Sequence, residues 1–316
     1  IYLFKSVYLT LMVVYLNSFS YNLKAKLSRN LFKSYLNKKF QFFIDNNSSL
    51  ILRNIKDEPD LFVIQVFKPI LLLFVDCFLI IGIVVVLIFY EPLISSFVII
   101  LLTFAGYIFL QITNRRIINS GLIRQKSDAS RIKNIIQAFN NIVEIMILNV
   151  RKTILEKYKL PNDNSANATK MSTIFQELPR VWLEMIGIVG LLAVVSIMIY
   201  LDREMDEIIP VIGLFALAAF KILPTINRIL ASLTSIKFSK PVLSIIQKNL
   251  EKTNKKISKK STVNLRKNII FKNVSFMFHK KNKQHQIFKN LNLKIDKNSS
   301  IAIIGESGSG KSTLLN

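Results

Sequence analysis

The sequence is nearly without cysteine: Cys77 is the single one in 316 residues. One thiol excludes an intramolecular disulfide framework, and its place in an apolar run leads us to expect a small core residue there. Acidic residues are scarce as well, 19 against 43 lysines and arginines, for a formal net charge of +24. Such an excess first points to nucleic acid, a reading that the placement of the charges opposes. A leader pattern is also lacking. The chain starts at Ile1 inside an apolar stretch, with no Met and no charged leading region, so the natural N-terminus is expected to lie upstream.

What is abundant is apolar surface. Hydrophobic residues make up 51% of the chain and the mean hydropathy is +0.38, above an ordinary soluble domain. The apolar residues are segregated into runs at 1–21, 61–90, 93–113, 181–201 and 208–236. Each is about long enough to cross a bilayer, and five membrane helices are expected. Between them, residues 22–60 hold Lys24, Lys26, Arg29, Lys33, Lys38, Lys39, Arg53 and Lys56, and residues 114–160 are equally basic. Glu91-Pro92 and the acidic segment from Asp202 to Glu207 form the opposite connections. By the positive-inside rule the basic loops face the cytoplasm. That describes a multi-pass protein of the cytoplasmic membrane surrounded by membrane lipids, with no nucleic-acid partner. A Lys, Asn and Ile bias along the whole chain accounts for part of the excess charge.

The basic stretches are amphipathic. Leu27, Leu31, Phe32, Tyr35 and Leu36 in one, and Ile132, Ile135, Ile136, Phe139, Ile142 and Val143 in the other, recur at helical spacing, so the membrane helices are expected to continue outward. Phe42-Phe43-Ile44 followed by Asp45-Asn46-Asn47-Ser48-Ser49 reads as a short crossing helix ended by turn and cap formers. Residues 161–169 read as a kink or loop, and Leu178-Pro179-Arg180 as the entry to the fourth span. The domains expected are 1–250, a membrane domain with cytoplasmic loops at 22–60 and 114–170; 251–264, a charged linker; and 265–316, a second domain. Strands are expected at 269–278, 288–295 and 300–304.

The chain closes on Gly305-Glu306-Ser307-Gly308-Ser309-Gly310-Lys311-Ser312-Thr313. Glycines at these places, then Lys, then Ser or Thr, between a strand and a helix, spell a P-loop. Glycine lets the backbone wrap phosphate oxygens so that N–H groups point at negative charge. Lys311 is placed to reach the β- and γ-phosphates and Ser312 to put its hydroxyl on Mg²⁺, with Thr313 beside it. Leu72-Leu73-Phe74-Val75-Asp76 mimics a Walker B strand, but it lies inside a span and is set aside.

Taken together these residues resemble the half-transporter family of ABC exporters, and the resemblance covers essentially the whole chain. It implies an α-helical polytopic membrane domain of type I exporter kind with five of six helices present, followed by the start of an α/β P-loop ABC ATPase domain. The segment from Arg29 to Asp60 resembles the first intracellular loop with its coupling helix. Phe139-Asn140-Asn141-Ile142-Val143-Glu144 resembles the second, which in the family reaches the partner's domain. Phe278 stands where an aromatic residue, usually Tyr, stacks on adenine. Asn298 stands near the usual turn glycine, and Asn tolerates the left-handed conformation such a turn needs. The resemblance implies ATP and Mg²⁺ as cofactors, a second half-transporter as partner in a homodimer, and an ATPase whose catalytic carboxylates and switch His are not among these residues.

Within the family, the segments from Glu177 to Glu184 and from Ala216 to Arg228 and the loop at Gly305 resemble lipid-linked oligosaccharide flippases. That implies an amphipathic lipid-linked cargo, with export of a drug, another lipid or a peptide as the alternative. Such cargo needs an apolar groove and cations for its phosphates, and Arg228, Lys221 and Lys68 lie in or beside spans. The plainer reading of these cations is snorkelling, or pairing with Asp76 or Glu184. A membrane-anchored P-loop kinase would enclose a large external domain between two spans, which the closely spaced runs oppose. An exporter-like sensor is a further alternative.

Overall fold

Proline decides much of how this chain is put together. The computed structural model describes residues 2–38, 40–251, 267–280, 283–306 and 308–315, in two units, Ile1–Lys255 and Lys256–Asn316. The first unit is helical: α1 (Tyr2–Leu36), α2 (Phe40–Asp45), α3 (Ser48–Phe62), a π turn (Val63–Phe67), α4 (Lys68–Tyr90), α5 (Pro92–Asn140), α6 (Ile142–Ile147), α7 (Arg151–Tyr200), α8 (Met205–Phe238) and α9 (Lys240–Glu251). Among the described residues five helical stretches are long and apolar enough to cross a membrane, with α3, the π turn and α4 forming one of them. At 1.5 Å per residue the 50 residues of α7 reach about 75 Å, more than twice the ~30 Å of a hydrocarbon core. The remainder projects beyond it, as does α5.

Six prolines sit where a helical stretch continues through them: Pro59, Pro69, Pro161, Pro179, Pro210 and Pro224. Each removes an N–H and so strips the carbonyl four residues earlier of its helical donor. At Pro59, Pro69 and Pro161 a side chain of another helix supplies the donor. Ser28 of α1 donates to Ile55 O at 2.9 Å, opposite Pro59. Ser235 of α8 donates to Gln65 O at 3.0 Å, opposite Pro69. Asn134 of α5 donates to Lys157 O at 2.9 Å, opposite Pro161. The segment 161–169, expected as a kink or loop, is helix continued through Pro161. Ser165 and Ala168 are buried on α7, and packing against α5 overrides the low helix propensity of the segment.

Inside the membrane-length segments the core is apolar: Leu87 of α4, Ile94 of α5, Val194 and Met198 of α7, and Ile208, Phe215 and Ile222 of α8. Cys77 is exposed rather than part of it, like its neighbours Phe74 and Phe78. A lone helix in a thin bundle buries only one stripe, and Cys77 is on the other. Where α5 crosses the end of α8, a Cβ on Gly121 would stand 2.0 Å from Phe238 O, so that close approach requires glycine.

Beyond the apolar core, α1, α3, α5 and α7 meet on charge. Glu58 is fully buried, with Arg53 Nε at 3.1 Å and Arg124 Nη2 at 3.8 Å. Arg53 also donates to Asn54 Oδ1 at 2.7 Å and to Gln125 O, and Asn54 donates to the Tyr35 hydroxyl at 2.8 Å. Asp128 accepts from Ser165 at 2.6 Å and pairs with Arg124 and Arg131. Burial pushes the Glu58 carboxyl above its ordinary range, the guanidinium groups of Arg124 and Arg53 offsetting part of that.

The short helices close the projecting turns. Asn47 caps α3, its Oδ1 accepting from Ser49 N at 3.2 Å, and the short crossing helix read at Phe42-Phe43-Ile44 is α2. The second unit holds an antiparallel pair, β1 (Asn268–Lys280) and β2 (Lys283–Asp296), and then α10 (Lys311–Leu315). Asn273 and Asn290 take positive φ where the β1–β2 register slips. Residues 300–304, expected as a strand, form no regular element, and Ile304 is 92% exposed. A strand exists only through hydrogen bonds to a neighbour, and no described segment supplies one. Most of the linker expected at 251–264 lies outside the described residues.

Two outcomes are expected. Ser28→Ala should cost about 1 kcal/mol in chemical unfolding in mixed micelles, and the cost should shrink in a Pro59→Ala background, where the helix regains its own donor. Glu58→Ala, which leaves two buried guanidinium groups, should cost about 3–5 kcal/mol. The triple replacement Arg53→Met, Glu58→Leu, Arg124→Met should cost far less, and an equal loss would show that the charges are net stabilising.

Candidate nucleotide cradle and membrane cavity

The cradle is built outward from the end of β2. A turn follows Asp296, whose carbonyl accepts from Ser299 Oγ at 2.6 Å, and Asn298 takes φ 62°. This is the left-handed conformation expected of the residue near the usual turn glycine. The chain then continues without a regular element to Gly305. Gly308 and Gly310 adopt φ of 90° and 92°, values that residues with a Cβ rarely reach. At Gly310 a Cβ would also stand 2.4 Å from Ile287 Cγ2 and 3.1 Å from the Phe288 ring. Glycine is thus required there twice, by conformation and by space. Ser309 N donates to Glu306 O at 3.2 Å, and Leu314 N to Gly310 O at 3.0 Å as α10 begins.

Lys311 folds back over the loop. Its Nζ donates to Gly305 O at 2.7 Å and to Glu306 O at 2.6 Å. The ammonium therefore stands at the mouth of the loop, held by carbonyls that a phosphate oxygen can replace as its partner. Ser312 is exposed and Thr313 half-buried at the start of α10, where a hydroxyl is free for Mg²⁺. Ser307 lies outside the described residues. Phe278 is in β1 opposite His285 of β2, its side chain also outside them. The loop's conformation and donor set fit a nucleotide phosphate.

The cavity is on the other unit. Between α7 and α8 is an open space of about 640 Å³ with walls of Leu183, Ile188, Leu191 and Phe220 and a polar edge of Arg180, Glu184, Asn227 and Arg228. Of the three cations singled out in the sequence, Arg228 borders it, while Lys221 and Lys68 do not. Arg228 is half-exposed, and its Nε and Nη2 clamp the buried Asp76 of α4 at 3.1 and 2.6 Å. Its Nη2 also donates to Thr225 at 3.1 Å. The pairing alternative is thus what the structure shows for Arg228. Arg180 is matched by Glu184 at 2.9 Å. Asn227 Oδ1 is buried at the same edge and accepts no hydrogen bond. Asn227 was not singled out in the sequence, where one asparagine among many carries no signal.

With this geometry in hand, comparison with known proteins is informative. Residues 288–316 match the family model described as ABC transporter. Over 98% of its length the chain superposes on a bacterial Atm1-family ABC exporter with ATP bound, with a TM-score of 0.78 at 12% identity. At that identity the likeness concerns the fold, and the chain spans 55% of the exporter's length. The class defined is an exporter-type polytopic membrane domain followed by the start of an ABC ATPase domain.

Gly310→Ala tests the cradle directly. Forcing a Cβ into the left-handed region costs roughly 1–2 kcal/mol before the clash with Ile287 is counted. Affinity for a fluorescent ATP analogue should fall by about tenfold or more, with the far-UV circular dichroism unchanged.

Proposed function

We propose that this chain is the membrane domain and the first part of the ATP site of an ATP-driven half-transporter. Two copies would form the transporter and move an amphipathic lipid-linked oligosaccharide across the cytoplasmic membrane. The observation that carries the reading is the joining in one chain of two parts: a phosphate loop that requires Gly310, and an exporter-type bundle with a cavity that is apolar apart from one charged edge.

Gly305, Glu306, Ser307, Gly308, Ser309 and Gly310 would hold the phosphates through their backbone, Lys311 through its ammonium, and Ser312 the Mg²⁺, with Thr313 beside it and Phe278 under the adenine. Bound Mg-ATP supplies the free energy. The chain's own contribution is mechanical. Phe43 and Ile44 on α2, and Val143, Met146 and Ile147 on and around α6, are exposed apolar residues at the far ends of the long helices. They suit docking on nucleotide domains, α6 on the partner's. Closure of those domains would then be carried along α5 and α7 into the membrane. The apolar walls suit a lipid tail. Arg228 suits a phosphate that competes with Asp76 for its guanidinium.

Proteoliposomes of this chain continued through the rest of its ATPase domain, with a fluorescent lipid-linked glycan, test this. Lys311→Ala should abolish ATP-dependent flipping, and Arg228→Gln should lower glycan-stimulated hydrolysis about tenfold, the weight of one charged hydrogen-bonded contact. Unchanged stimulation in Arg228→Gln would remove the cavity role. Stimulation by amphipathic drugs but not by the glycan would favour a general exporter.

A further inference from the structure

Lys68 leaves the α7–α8 cavity and takes up a different site. It opens α4 directly after the π turn, and its Nζ donates to Asn17 Oδ1 of α1 at 2.8 Å while standing 4.9 Å from the centre of the Tyr21 ring. Lys24, one turn on along α1, brings a second ammonium to 5.9 Å from the same ring. The two differ in one respect. Lys24 is ion-paired with Asp60, whereas among the described residues no carboxylate pairs with Lys68.

The position of this unmatched charge follows from helix rise. The 23 residues of α4 from Lys68 to Tyr90 cover about 34 Å, against ~30 Å for a hydrocarbon core. With Tyr90 at one boundary, Lys68 and Tyr21 fall at the other, on the side of the basic loops. Lys and Tyr at that depth are the residue types of a headgroup layer. A lone cation there requires a counter-charge or water. Immediately inward, the exposed residues are apolar on both helices: Val13 and Val14 on α1, and Leu72, Phe74 and Val75 on α4. Phe19 and Phe67, next along each helix, meet at 5.7 Å beside the site. A phosphate diester on Lys68 would thus have acyl-compatible walls beside it, which a free inorganic anion does not use.

We propose that Lys68, Asn17 and Tyr21, with Lys24 alongside, form a binding site for the phosphate of an anionic phospholipid in the leaflet on the side of the basic loops. The ammonium of Lys68 meets the phosphate oxygens, Asn17 and the Tyr21 ring hold that ammonium in place, and the faces of α1 and α4 take the acyl chains. The site is separate from the cavity bordered by Arg228 and does not depend on what that cavity carries.

Native mass spectrometry of the full chain in detergent, titrated with phosphatidylglycerol and with phosphatidylcholine, reads the site. The native protein should prefer phosphatidylglycerol about fivefold, the factor that one lysine contributes at an anionic surface. Lys68→Gln should abolish the preference, and Lys68→Arg should keep it. Should Lys68→Gln fail to fold, Tyr21→Leu should weaken the preference in its place. Equal binding of the two lipids by the native protein, or a preference that survives Lys68→Gln, would overturn the proposal. Inorganic phosphate at millimolar concentration should not displace the lipid, and full displacement would assign the site to a free anion.

Discussion

A helical carbonyl left without its donor needs another, and three ties of the membrane unit arise where that need is met at prolines. Pro59, Pro69 and Pro161 each strip one carbonyl, and Ser28, Ser235 and Asn134 each restore a donor from a different helix. A backbone defect thereby becomes a tie between helices: α1 to α3, the π turn to α8, α5 to α7. All three ties lie at or beyond the end of the expected spans on the side of the basic loops. There an unpaired carbonyl either finds water or, when packed, must find a neighbour.

The same region concentrates the buried charge. Arg124 on Glu58, Arg53 on Gln125 O and Ser165 on Asp128 join α3, α5 and α7 through directional contacts, whereas Leu87, Val194 and Phe215 join the membrane-length segments through contacts without direction. Buried ion pairs contribute little net stability because desolvation offsets attraction. What they supply is register. An apolar helix face tolerates sliding, but a slide of α3 against α5 would take buried Glu58 away from Arg124 and Arg53 away from Gln125 O. The long projecting ends of α5 and α7 are thus held at fixed phase, as the proposed transmission from α2 and α6 requires.

Much of this was legible in the residues. Five apolar runs mark five helices, the amphipathic stretches at 22–36 and 132–143 continue them outward, and the loop from Gly305 to Thr313 announces its left-handed glycines. Asn298, read as able to stand in for glycine, has φ 62°. The misreadings share a physical cause. Residues 161–169 look like a loop because Pro, Asn, Asp and Ser favour turns in isolation, yet α5 offers them partners. Residues 300–304 look like a strand because they are apolar and β-branched, but a strand needs a neighbour. Cys77 looks like core because it is small and lies among apolar residues, and the apolar pattern of a span does not say which stripe faces protein.

The sequence by itself determined which segments are apolar enough to cross a membrane and where a phosphate loop is encoded, because hydropathy, charge placement and glycine spacing are local properties. Only the tertiary structure decided which cation borders the cavity, which is clamped by a carboxylate and which is left without one. Arg228 meets Asp76 across 152 residues of chain, and Lys68 meets Asn17 across 51. Contacts at such separations are set by helix packing, to which the identity of a single lysine or arginine contributes no signal.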